Sequence, residues 1–238
     1  MEKTEVHVLP AVIHVPVDAI AITPRQVARY AGGKNYRAGS RVEKTIADVI
    51  DRAGGLVDPA IAQTLHAVSG CSEDGLLLLE NGLSVEMPFR EREPSARHLV
   101  TVVCTLGPAL EEACREFVHR GDALTAALLD AAGVAALESL SDRVYELLCE
   151  FAGGHGLSPG CRIAPGCMDM PMSRQAILFE LVDGGSIGVR LNRSMVMEPG
   201  KSLSFFLILA DGRNPSRKAY KCGVCQLAEC SFRVTREE

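Results

Sequence analysis

The chain has 238 residues, 47% hydrophobic and only 5% aromatic, with no Trp, so its core has to be built mostly from Leu, Val, Ala and Ile. A net charge of −5 and a pI near 5.7 argue against a nucleic-acid binder, which would carry a basic stripe. No unbroken apolar run approaches the roughly 20 residues of a membrane helix. The opening MEKTEVHVLP lacks the basic segment and apolar stretch of a secretory signal, so the expectation is a cytoplasmic protein without a membrane partner.

In chain order, VHVLPAVIHVPV alternates loosely around prolines and predicts an edge strand or extended arm. Thr23-Pro24 starts a helix that stops at Gly32-Gly33. Ser40 and Glu43 have capping-box spacing before a second helix, whose Val42, Ile46, Val49 and Ile50 share one face. GLLLLENGLSVEM predicts a β-hairpin turning at Asn81-Gly82, and HLVTVVCTL a buried strand. A helix follows with Pro108 in its first turn and Glu111 and Glu112 near the positive end of its dipole. Asp122 caps a longer helix, Ala123 to about Phe151, on the order of 45 Å long at 1.5 Å per residue. Gly133 inside it costs about 1 kcal/mol relative to Ala, which predicts a close backbone approach. A short helix from about Ser173 to Leu181 and two strands, SIGVRL and KSLSFFLIL, complete the pattern. Helices and strands alternate without a βαβ rhythm, so the expected class is α+β: a mainly antiparallel twisted sheet packed with long helices. No repeat or linker divides residues 1–217, and residues 218–238 form a cysteine-containing tail.

No nucleophile elbow, P-loop or dinucleotide fingerprint is present, and the six histidines have no metal-ligand spacing. Cys104 and Cys149 lie in apolar runs and read as small buried hydrophobes. CRIAPGCMDMP, from Cys161 to Pro171, reads as a non-periodic connector between two helices. Its Pro165 and Gly166 can hold backbone groups toward a ligand, and Arg162 can pair bidentately with a carboxylate. The alternative for this arginine is an internal ion pair. LNRSMVMEPGKSLSF reads as an irregular turn entering a strand.

In this order, TLGPALEEACREF, GDALTAALLDAAGVAALESLSD, RIAPGCMDMPMSRQ and IGVRLNRSMVMEPGKSLS resemble the activation domain of vitamin B12-dependent methionine synthase and its free-standing relatives. The resemblance covers 99–209. It implies a methionine synthase activation domain-like fold that binds S-adenosylmethionine and caps a corrinoid carried by a partner, either a methionine synthase module or a corrinoid-binding methyltransferase. One-electron reduction of Co(II) coupled to methyl transfer then restores the active cofactor. By the same resemblance Arg162 pairs with the S-adenosylmethionine carboxylate, and Ala164, Pro165 and Gly166 line the ligand. Glu138 lies near the ligand's amino group. Cys167 stands where the family usually has Tyr, and Leu191-Asn192-Arg193-Ser194 lacks the family's acid.

The tail motif YKCGVCQLAEC offers Cys222, Cys225 and Cys230 as three thiolate ligands for a [4Fe-4S] cluster or Zn. The fourth ligand has to come from elsewhere, with Cys167 favoured over Cys161 and Cys71. The leading expectation is therefore a stand-alone reactivation protein whose tail passes an electron to the corrinoid, drawn from a separate electron donor. Two other readings stand beside it: a non-catalytic docking module with a structural zinc, and an S-adenosylmethionine-binding sensor.

Overall fold

A computed structural model of the chain describes residues 9–88, 95–167, 170–212 and 229–232. Its centre is a seven-stranded sheet in the order β4-β3-β2-β5-β9-β6, with β1 added beside β2. These strands are β1 (Val12–His14), β2 (Ala60–Cys71), β3 (Leu76–Leu79), β4 (Ser84–Glu86), β5 (Ala96–Thr105), β6 (Leu157–Ile163) and β9 (Ser202–Asp211). Every pairing among them is antiparallel. Among the described residues the α-helices are α1 (Pro24–Gly32), α2 (Ser40–Gly54), α3 (Ala109–His119), α4 (Ala123–Gly154) and α5 (Gln175–Leu181). The α+β class with a mainly antiparallel sheet is thus what the chain adopts.

β5 and β9 read as nearly continuous apolar runs because both faces of the sheet centre are covered. Val100, Val102, Cys104, Phe205, Leu207 and Leu209 face α1, α2, α3 and α4, while Leu99, Val103, Phe206, Ile208 and Ala210 pack with α5 and the β3-β4 hairpin. Residues of alternating parity go to opposite layers, as the strand period of two requires. Cys104 is fully buried, and desolvation pushes its thiol up to about 12.

α4 spans 32 residues, close to 48 Å at about 1.5 Å per residue. By length and composition it is apolar enough to cross a membrane, although its sequence holds no unbroken run of that length. Over half of its most apolar window, 56%, is buried within the fold, against α1, α2, α3 and β6.

Several local expectations hold in detail. Thr23 caps α1 with a complete capping box to Gln26, and Asp122 caps α4 by accepting from Thr125 N–H at 3.1 Å. Gly82 takes φ +86° in the β3-β4 turn. Others do not. The Ser40/Glu43 box is absent, because α2 begins at Ser40 itself and Gly39 occupies the cap position without a side-chain bond. Gly133 is crowded by side chains, not backbone: a Cβ there would lie 2.8 Å from Leu110 Cδ2 and 3.0 Å from Lys201 Cε. SIGVRL begins in a 3-10 turn over Gly184–Ile187, and only its last two residues form a strand, β7 (Arg190–Leu191), which pairs with β8 (Met197–Glu198). β2 was not anticipated, since AIAQTLHAVSGC mixes small and polar residues with few large apolar ones.

Candidate functional site

Four polar residues of α4 share one face. Glu138, Ser141, Asp142 and Tyr145 follow the i, i+3, i+4, i+7 spacing that puts side chains on one stripe of a helix. An arginine meets the stripe at each end. From α1, Arg29 Nη2 donates to Glu138 Oε2 at 3.2 Å and Tyr30 Oη donates to the same oxygen at 2.7 Å. From β6, Arg162 donates to Ser141 Oγ at 2.7 Å and to Asp142 Oδ1 at 3.0 Å, with its guanidinium carbon 5.4 Å from the Tyr145 ring centre. Tyr145 Oη in turn donates to Gly160 O at 3.2 Å.

The two arginine side chains are only 12% and 15% exposed, whereas Glu138 and Asp142 keep 27% and 35% of their surface. Solvent therefore reaches the carboxylates more readily than the cations. Burial, then the Glu138 hydrogen bond, raises the Tyr30 phenol well above its ordinary value, so it stays a donor at any physiological pH. Burial likewise pushes the Tyr145 phenol up to about 12, with Cys149 and Cys161 nearby adding to the effect.

Arg162 sits on a strand. The stretch read as an irregular connector begins as β6, which pairs with β9 through Arg162↔Leu207 and Ile163↔Phe206. The irregular part starts at Ala164. There Cys167 N–H donates to Ala164 O at 3.0 Å and Gly166 N–H to Met170 O at 2.9 Å. Over 165–167 the N–H groups are thus engaged or, at Pro165, absent, which leaves carbonyl oxygens and the exposed Cys167 side chain for contact with a ligand there. Gly166 takes φ +86°, a conformation that disfavours any side chain.

Of the tail cysteines, Cys222 and Cys225 lie outside the described residues. Cys230 Sγ accepts from Phe232 N–H at 3.4 Å. Among the described residues no group of three or more His, Cys, Asp or Glu side chains forms a metal site. The described residues alone, Cys167 and Cys230 included, do not fit a cluster or zinc.

A separate cleft of about 710 Å³ opens where β5, β9 and α3 meet the β7-β8 hairpin, with Asp58, Thr105, Glu111, Arg115, Arg190 and Glu198 on its walls. Pro108 and Glu111 of the α3 start and Glu198, Pro199 and Gly200 of the LNRSMVMEPGKSLSF turn line it, whereas Glu138, Arg162 and the 164–167 loop do not.

The arrangement was compared with known proteins. No family pattern matches the chain, and no curated protein does. Among solved structures, the crystal structure of the MetH reactivation domain bound to AdoHcy superposes with a TM-score of 0.62 at 14% identity, covering 85% of this chain and 79% of that one. The fold is methionine synthase activation domain-like. At that identity the likeness concerns the fold, as the sequence resemblance implied.

The sequence reading named Glu138 and Arg162 but none of their partners. Arg29, Tyr30, Ser141, Asp142 and Tyr145 complete the site. The signal for three of them was present: in a helix otherwise rich in Ala and Leu, polar residues recurring at helical spacing mark a face with its own partners.

Proposed function

We propose that this chain binds S-adenosylmethionine along the α4 stripe and presents it to a corrinoid held by a partner protein, serving as a reactivation protein for a cobalamin-dependent methyltransferase such as methionine synthase. The observation that carries this reading is the alternation of Arg29, Glu138, Asp142 and Arg162 along one helix face, in a fold shared with a domain seen bound to AdoHcy. An α-amino carboxylate needs a cation for its carboxylate and an anion for its ammonium, and the stripe offers both within two helical turns.

In this reading Arg162 takes the ligand carboxylate, exchanging or sharing its bonds to Ser141 and Asp142, and Glu138 faces the ammonium. Ala164, Pro165, Gly166 and Cys167 bound the ligand beyond β6. S-adenosylmethionine supplies the methyl group, and the corrinoid of the partner receives it together with one electron. The task of this chain is to orient the sulfonium and keep water from it. The protein acts in the cytoplasm, and residues 1–217 form the binding domain.

The tail extends the proposal. Cys222, Cys225 and Cys230, with Cys167 as the fourth ligand, are assigned to a [4Fe-4S] cluster or Zn; a cluster would relay the electron from an external donor, and zinc would leave the tail structural. Metal analysis and the absorbance near 400 nm of anaerobically purified protein separate these assignments. Metal-free protein sinks both.

Calorimetry tests the ligand. Wild type is expected to bind S-adenosylmethionine, and Arg162→Ala to bind it about thirtyfold more weakly or worse, since a part-buried charge pair with the ligand is lost. Equal binding by both proteins would remove Arg162 from the site.

A further inference from the structure

The two donors that hold Glu138 come from α1, and the end of α1 is itself held by the far end of the chain. Lys34 N–H donates to Ser231 O at 2.6 Å. Gly33, which ends α1 with φ +89°, lies against the same carbonyl: a Cβ there would be 3.4 Å from Ser231 O. The next residue, Phe232, sets its ring 5.7 Å from the Tyr30 ring at a 37° tilt, and the Arg29 guanidinium lies 4.9 Å from that same tyrosine ring. The bond from Phe232 N–H to Cys230 Sγ closes the turn that presents the phenylalanine. A chain of contacts thus runs from Cys230 through Phe232 and Tyr30 to Glu138.

We propose that the segment 229–232 is a strap that positions Glu138: Ser231 and Phe232 fix the last turn of α1, so that Tyr30 and Arg29 aim the Glu138 carboxylate at the ammonium of the bound ligand. This rests on the S-adenosylmethionine reading above. Nothing in the strap touches the ligand in this account. Its effect travels through one aromatic contact and one hydrogen bond, and both are needed. Without Phe232 the Tyr30 ring loses its outer neighbour, and the phenol can swing away from Glu138 Oε2. The carboxylate then keeps Arg29 alone and turns toward solvent. The strap also gives the cysteine tail a place beside the ligand site: chemistry at Cys230 alters the turn that carries Phe232.

The test is a double-mutant cycle on the full chain, read as calorimetric affinity for S-adenosylmethionine. Phe232→Ala is expected to weaken binding roughly three- to tenfold. Phe232→Tyr, which retains the ring, is expected to bind as wild type does. In a Glu138→Gln background, Phe232→Ala should add no further loss, because the group it positions has already lost its charge. Phe232 is 46% exposed, so the alanine variant folds, and a circular dichroism melt confirms it. Undiminished binding by Phe232→Ala, or a full further loss in the Glu138→Gln background, overturns the strap while leaving the ligand reading intact. Failure of wild type to bind S-adenosylmethionine overturns both together.

Discussion

The two halves of α4 do different work in one continuous helix. From Ala126 to Leu137 nearly every inward position is Ala, Leu, Val or Gly, and the helix serves as the lid of the sheet. From Glu138 onward, Leu140, Val144 and Leu148 keep a narrower apolar seam, while Glu138, Ser141, Asp142 and Tyr145 form a second, polar face. A helix pinned over about three turns by a dry core can hold charged groups on the turns that follow without drifting, and this rigidity is what a ligand site requires. Two kinds of damage are therefore expected: changes in the first half lower stability, and changes in the polar face weaken the proposed ligand binding.

The strongest test of that division is Leu129→Ala. Its side chain is fully buried, so truncation should cost about 3 kcal/mol in chemical denaturation. Asp142→Ala comes next. It leaves a largely buried Arg162 with the Ser141 hydroxyl and the Tyr145 ring, neither of them charged, and a loss of about 1.5 kcal/mol is expected, together with weakened S-adenosylmethionine binding. If the stability loss matched that of Leu129→Ala, the polar face would be core after all. Gly133→Ala sharpens the boundary from the other side. Helix propensity favours alanine, but the new methyl would press on Leu110, which is fully buried, and a net loss of about 1 kcal/mol is expected.

The smallest effect concerns pH, on the opposite face of the sheet. His66 Nε2 donates to Leu181 O at 3.0 Å, and burial holds its pKa below the ordinary 6.5. The folded state therefore prefers the neutral ring. The contribution is complete above 6.5 and is lost as pH falls through the depressed value. Thermal midpoints should drop on acidification more in wild type than in His66→Gln. Parallel curves for the two proteins would remove this histidine from the acid response.

Much of this architecture could be read from the residues. Strong local signals, Thr23-Pro24, Asp122 and the apolar runs of β5 and β9, gave elements close to those observed. β6 went unseen because Pro159 and Gly160 are loop residues elsewhere; at a sheet edge, paired on one side only, they are tolerated. β2 was hidden by its mixed composition, because a strand paired on both sides needs few large apolar residues of its own. In the site, Arg162 stood out in the CRIAPGCMDMP stretch, and Glu138 came from the family resemblance alone. Their partners did not stand out, because contacts such as Arg29 to Glu138 join residues 109 apart and arise only when α1 lies across α4. No spacing rule reaches that far. The link from Phe232 to Tyr30 is of the same kind.

β6 carries an irregularity between Pro159 and Arg162, where three steps along this strand match two along β9, from Leu209 to Leu207. The extra residue is absorbed before Arg162, and the arginine meets Leu207 in register, on the layer facing α4. A slip of one residue would carry the guanidinium to the other layer, among Leu178, Leu181 and Ile208 and away from Ser141 and Asp142. The bulge therefore acts as a length buffer. Gain or loss of a residue near Gly160 can be taken up by reshaping the bulge, whereas the same change between Arg162 and Ile163 would turn Ile163 away from its own layer.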